Sequence, residues 1–371
     1  MSEDTLEEDL MALSEGIDSA LAEMCEARIV HTYFDGGNEL DETLWQCAAE
    51  LGWLGIGLPE EYDGLGLGAP GLDLLFRALG SFMAPGAFIP TLSAAQWLAE
   101  SAAPEVCQTL LPEVVAGACT FAVPLVPGTA PLQLEGSGLS GRPPLMLGSR
   151  SATTAIVAIE QAGKPGYAIV PLAAATASFT PTEIWDSTRM AGKYEFSGAS
   201  PLAVVDDADG AATACLRRWL ALATAADCVG GARAITFKTV DYLKERSQFG
   251  RSLASLQALK HRIAGLLTRV IQDEALLDQA VASLAGSEPS ADMWMNMAKA
   301  SAGDMFAAVA EDCVQLHGGV GFTWEFDCHI YLKRALFNRE IAASSSVLRD
   351  LAASQFALSA RSGASTAELA L

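Results

Sequence analysis

The chain has 371 residues, 51% of them hydrophobic and 18% charged. That composition excludes a disordered polymer and allows two or three domains around a large core. The net charge of −22, with no Lys/Arg-rich run to offset it, excludes nucleic acid and anionic membrane surface as partners.

No uninterrupted apolar stretch is long enough to span a bilayer. The acidic start, "MSEDTLEEDL", lacks the basic and apolar regions of a signal peptide. The eight cysteines (25, 47, 107, 119, 215, 228, 313, 328) are scattered, with no C-x-x-C pair. They are expected to be buried thiols of a cytoplasmic protein, not a disulfide framework or zinc site.

In chain order, residues 1 to about 115 alternate helical periodicity with Gly/Pro breaks. In "DETLWQCAAELGWLG" the spacing of Leu44, Cys47, Ala48 and Leu51 predicts an amphipathic helix ending near Gly52. "LPEEYDGLGLG" is a loop, and "GLDLLFRALGSFM" resumes helical spacing. Between about 116 and 208, "CTFAVPLV", "TTAIVAIE", "YAIVPLA" and "KYEFSGA" are short β-branched and aromatic runs bounded by turn residues. From about 211, Leu222, Ala226, Val229, Ala232, Ile235, Thr239 and Leu243 keep helical spacing, and further helices run from Leu256 to about Leu284 and from Ala291 to about Leu316. "SEPS" before Ala291 carries a helix N-cap signal. The fold class is therefore α+β, mostly α. It comprises an N-terminal helical domain (1–115), a small β-barrel or sandwich domain (116–208) and a C-terminal four-helix bundle (209–371).

Two irregular stretches interrupt the helices. In "RSQFGR", Arg246 and Gln248 offer donors, Phe249 a flat apolar ring and Gly250 a turn or a close backbone approach. In "QLHGGVGF", Gly318, Gly319 and Gly321 follow a helix end. They serve either as a C-cap or as main chain that a phosphate can approach, with Gln315 as a polar anchor.

Together the two stretches resemble the acyl-CoA dehydrogenase family. Arg246, Gln248, Phe249 and Gly250 match its R-x-[QTA]-F-G segment on a long helix, and Gln315, Gly318, Gly319, Gly321 and Phe322 match its Q-x-x-G-G-x-G-[FY] segment. "LPEEYDGLGLG" and "WDSTRMAGKYEFSGA" resemble further family segments, and the α–β–α order is the family's. The resemblance implies that these residues bind the adenine and pyrophosphate of an FAD whose isoalloxazine ring lies in a neighbouring subunit. Arg246 would pair with the pyrophosphate.

The chain departs from the family where the ring and the substrate bind. Val123 and Pro124 stand in place of the threonine and glutamate of the family's T-E-P-x-x-G-S-D loop. Leu145 and Leu147 stand at the aromatic and hydroxyl positions of its flavin-facing strand, and leucine offers no hydroxyl to a flavin. The family's glutamate base has two alternative places, which fall here on Ala342 and Leu220. Glu340 is the one carboxylate that a small register shift would bring to the first; otherwise the chain has no base. Its neighbours Asn338 and Arg339 suggest a paired side chain.

His31, His261, His317 and His329 lack metal-ligand spacing, so no metal is expected. His317 either touches cofactor or caps its helix. Asp227 and Asp241 read as solvated or bundle-polar residues, and Glu325, Asp327 and Lys333 as surface salt-bridge residues. The resemblance implies an α2β2 assembly with a homologous catalytic subunit that binds most of the acyl-CoA, possesses the base and passes electrons to an electron-transfer flavoprotein. A homotetramer using Glu340, and a flavin-free structural paralogue, remain the alternatives.

Overall fold

The computed structural model describes residues 3–25, 42–248, 250–323 and 325–361. Helices α1 (Glu3–Met24), α2 (Glu42–Glu50), α3 (Gly68–Ser81), α4 (Phe88–Ser101) and α5 (Pro104–Val115) come first. Helix α2 forms where the periodicity places it, but its buried face is Leu44, Trp45 and Ala48. Leu51 is 48% exposed, because the helix has ended before it and Gly52 turns the chain at φ 75°.

Nine strands follow: β1 (Phe121–Pro124), β2 (Leu132–Glu135), β3 (Gly138–Gly141), β4 (Met146–Leu147), β5 (Thr154–Gln161), β6 (Lys164–Pro171), β7 (Ala177–Pro181), β8 (Ala191–Ala199) and β9 (Ala203–Asp206). The pairings β1–β4–β8–β3–β2–β5–β1 close a ring, with β6, β7 and β9 appended, so the middle of the chain is a small barrel. Side chains alternate across its wall. Ala122, Met146, Ala155 and Val157 fill the barrel, while Phe121, Val123, Leu147 and Ile156 face the helices.

The C-terminal helices are α6 (Ala211–Glu245), α7 (Gln257–Ala285), α8 (Ala291–His317), α9 (Cys328–Asn338) and α10 (Ser345–Arg361). Ser290 stands at the α8 N-cap, but its hydroxyl bonds the Glu288 carboxylate and caps nothing, contrary to the sequence signal. Helix α6 is long and apolar enough to cross a membrane by composition, yet 83% of its most apolar window is buried inside the protein. It is the central core helix. Gly80 and Gly230 let α3 cross it closely: a Cβ on Gly230 would lie 1.9 Å from the Arg77 carbonyl oxygen.

Candidate functional site

The first motif does not lie within a helix. Helix α6 stops at Glu245, and Arg246 leaves it in extended geometry. Ser247–Gln248 (β10) then pairs antiparallel with Arg251–Ser252 (β11), Gln248 opposite Arg251. "RSQFGR" thus carries two short paired strands, and Gly250 between them takes φ 75°. Arg246, Gln248, Gly250 and Arg251 are exposed; Phe249 lies outside the described residues. Neither guanidinium has an ion-pair partner among the described residues. In a chain of net charge −22, two guanidiniums on one hairpin without an ion-pair partner among the described residues can neutralise an anion's charge.

The second motif caps α8. Gln315 is exposed on its last turn and its carbonyl accepts the Gly318 N–H. Gly318 takes φ 67°, ψ −146°, a region essentially reserved for glycine. Among the described residues nothing lies within 4 Å of a Cβ placed on Gly318 or Gly319, so a ligand can reach their main chain. Gly321 is packed tightly beneath this turn: a Cβ there would meet the Val314 carbonyl oxygen at 2.8 Å.

Tyr242 joins the two motifs. Its carbonyl accepts the Arg246 N–H at 2.9 Å, and its hydroxyl donates to the His317 carbonyl. Hairpin and glycine turn therefore share one end of the bundle. The His317 ring is buried, contacts the Cys313 carbonyl and Cys328 sulfur, and packs among Tyr242 and Phe326. Burial lowers its pKa. It is an internal packing residue, and of the two sequence readings the helix-end one describes it.

The opposite half of a flavin site has no such openness. Leu147 faces the helices as the flavin-facing strand should, but Val123 is its direct antiparallel partner and both are buried. Between Leu147, Gly148, Ile89, Arg189 and Ile341 remains a void of about 10 Å³. That is about one water's worth, whereas small-molecule sites run to roughly 300 Å³ or more. The residues present fit the dinucleotide end of an FAD and do not fit its ring.

The two positions on which the sequence count places the family's base are closed to solvent. Leu220 and Ala342 are fully buried. Ala342 holds φ 69° and its N–H bonds the Leu125 carbonyl at 2.9 Å, tying the loop after α9 to the barrel. Glu340 is exposed. The pairing expected from its neighbours is absent: Arg339 binds Asp304, and Asn338 binds Asp227. Each finds a better-placed acid on a packed helix.

Of its two sequence readings, solvated or bundle-polar, Asp227 takes the second, as the centre of a charged cluster. It is fully buried, accepts from Arg189 at 2.6 Å, from Arg334 at 2.5 Å and 3.0 Å, and from Asn338 at 2.7 Å. Arg334 also reaches the Ala84 carbonyl and Thr188, so the cluster locks the bundle to the "WDSTR" segment and the N-terminal helices. Its signal was an acid set among Ala225, Ala226, Cys228 and Val229. Asp241 is exposed beside Lys244, and Asp327 pairs with Lys238, as surface residues do.

His261 is exposed, His329 is buried, and His31 lies outside the described residues. No metal-binding group of His, Cys, Asp and Glu occurs among the described residues. None of the eight cysteines is in a disulfide among the described residues, and all but the half-buried Cys47 are buried.

Known proteins resemble the chain along nearly its whole length. The acyl-CoA dehydrogenase N-terminal domain matches residues 8–118 and the acyl-CoA dehydrogenase C-terminal domain residues 217–356. Acyl-CoA dehydrogenase IpdE2 of Mycobacterium tuberculosis is 26% identical over 337 residues, 88% of this chain and 91% of that protein. IpdE2 of Mycolicibacterium smegmatis is 38% identical over a shorter match, 31% of this chain and 35% of that protein. Among solved structures, a variant of the Tcur3481-Tcur3483 steroid ACAD superposes with TM-score 0.87 at 27% identity, covering 96% of this chain and 99% of that one. The ChsE4-ChsE5 complex from Mycobacterium tuberculosis gives TM-score 0.85 at 22% identity, over 96% and 98%, which is a likeness of fold. With both family domains in family order, flanking a closed barrel and presenting both motifs at one end of the bundle, the chain belongs to the acyl-CoA dehydrogenase family.

Proposed function

We propose that this chain is the base-lacking subunit of a heteromeric, FAD-dependent acyl-CoA dehydrogenase that desaturates an acyl-CoA between its α and β carbons. Arg246, Gln248, Phe249, Gly250, Gln315, Gly318, Gly319 and Gly321 support the adenine and pyrophosphate of an FAD whose ring belongs to a homologous catalytic chain. The assembly is α2β2, soluble and cytoplasmic, without nucleic acid or membrane. Its substrate class is a steroid side-chain CoA, a reading favoured by the likeness to a steroid ACAD. The partner binds most of the acyl-CoA, and an electron-transfer flavoprotein takes the electrons. Residues 1–115, 116–208 and 209–371 form its three domains.

The single observation that carries this reading is an asymmetry. Arg246, Gln248, Gly250, Gln315, Gly318 and Gly319 are exposed, while the ring side holds a void of about 10 Å³. A bound FAD would supply the hydride-accepting chemistry for the substrate's β-carbon. This chain's guanidiniums neutralise phosphate charge and its glycines admit main-chain contact. Proton abstraction at the α-carbon falls to the partner, because Leu220 and Ala342 offer no carboxylate.

Purification of the chain alone, and then together with a homologous chain whose base is intact, tests the reading. Alone it should carry little flavin absorbance and no turnover; together the two should give two FAD per four chains. A yellow, active single-chain preparation would overturn it.

A further inference from the structure

Lys299 is fully buried in α8, with no carboxylate in salt-bridge contact among the described residues. Its ammonium donates instead to two main-chain carbonyls, Arg339 at 2.7 Å and Ala343 at 2.9 Å. A buried charge satisfied only by carbonyls is costly. Those carbonyls stand at the two ends of the loop that joins α9 to α10. Asp304, further along α8, holds the same ends from outside, binding Arg339, Ser345 and Arg349. Inside the loop, Ile341 and Ala342 are wholly buried, Ile341 borders the void at Leu147, and Ala342 keeps a left-handed backbone while bonding Leu125. A left-handed alanine persists only when its surroundings over-determine it.

We propose that Lys299 is a positioning residue that pins residues 339–343 as a plug in this chain's own cleft, closing it to an acyl chain and to a flavin ring. The meaning of the cleft rests on the function proposed above; the pin is testable without it. On this account the degenerate site is shut by a built device, beyond the loss of its hydroxyl and its base. Such closure keeps the barrel's apolar helix-facing strand from binding a misplaced acyl-CoA, and it keeps that strand rigid.

The test uses the full chain in complex with its partner, with Leu147→Cys as a reporter. Labelling by iodoacetamide is read on the peptide containing position 147 by mass spectrometry, and flavin is counted in the same samples. Lys299→Met keeps the side-chain volume and removes the donors. It should raise labelling at least tenfold, with hydrogen exchange of α6 and α8 unchanged. Asp304→Asn, at a partly exposed site, should raise it about threefold and serves if Lys299→Met does not fold. Unchanged labelling in whichever variant folds overturns the pin. Four FAD per four chains in the reporter complex, with labelling still controlled by Lys299, would leave the pin standing and overturn the proposed function.

Discussion

Tyr242 and His317 lie stacked, ring centroids 4.2 Å apart and planes 18° from parallel, and the tyrosine hydroxyl donates 3.2 Å to the histidine's own carbonyl. The pair couples the hairpin of the first motif to the glycine turn of the second. Tyr242→Phe keeps the stack and loses the hydrogen bond, for about 1 kcal/mol. Tyr242→Ala loses both, for about 2–4 kcal/mol. Urea unfolding should rank them in that order, and flavin retention by the complex should fall several-fold in Tyr242→Ala.

Restoring the family hydroxyl should not restore flavin binding. Leu147→Thr places a hydroxyl at the right strand position, but Val123 and Ile341 leave no room for a ring. The variant alone should remain colourless and lose about 1–3 kcal/mol from a buried hydroxyl without a partner. A flavin spectrum from Leu147→Thr alone would show that space is not the obstacle.

The Asp227 cluster sets a pH dependence. Burial pushes its pKa up, but Arg189 and Arg334 more than offset this and hold it at about 2, below the ordinary 3.8. A depressed carboxylate contributes stability that is full above the unfolded value and is lost as pH falls through the folded one. The loss, about 2–3 kcal/mol, should appear between pH 4 and 2. Asp227→Asn should abolish that slope and, by leaving Asp186 as the one buried carboxylate acting on both guanidiniums among the described residues, cost about 3–5 kcal/mol at pH 7. Identical pH–stability curves for the two proteins would contradict the assignment.

The long helices were legible because their apolar spacing survives burial, and the strands because β-branched runs sat between turn residues. Closure of the barrel was not legible. It depends on Phe121 meeting Thr154, a pairing between segments that carry no mark of each other. The two motifs were readable as chemistry, whereas the hairpin was not, since two-residue strands have no period to detect. Lys299, between Ala298 and Ala300, looked like any helical lysine, and the left-handed Ala342 violates the local preference a sequence reader relies on. Which of its two readings Asp227 takes is not legible, because α6 is buried on every side between residues 219 and 232 and its period there identifies no solvent face.

Glu340 should prove dispensable. Its carboxylate is exposed, and the cleft beside it is bordered by Ile341. Glu340→Gln should leave turnover of the assembled complex within a few-fold. A general base is worth about 10²–10⁴-fold, so a loss of that size would identify it as the acid that Ala342 replaces.

Under the proposed function, this chain grips a flavin whose ring belongs to its catalytic partner. Arg246 is exposed, lacks an ion-pair partner among the described residues, and stands beside the glycine turn through Tyr242. Removing a charge-assisted contact to pyrophosphate costs about 1.5–3 kcal/mol, or about ten- to a hundred-fold in FAD affinity. The measurement is FAD bound per tetramer when Arg246→Ala is purified with its catalytic partner, with assembly checked by light scattering. The account predicts an intact tetramer depleted of its two flavins. An intact tetramer that keeps both, at wild-type affinity, would contradict it.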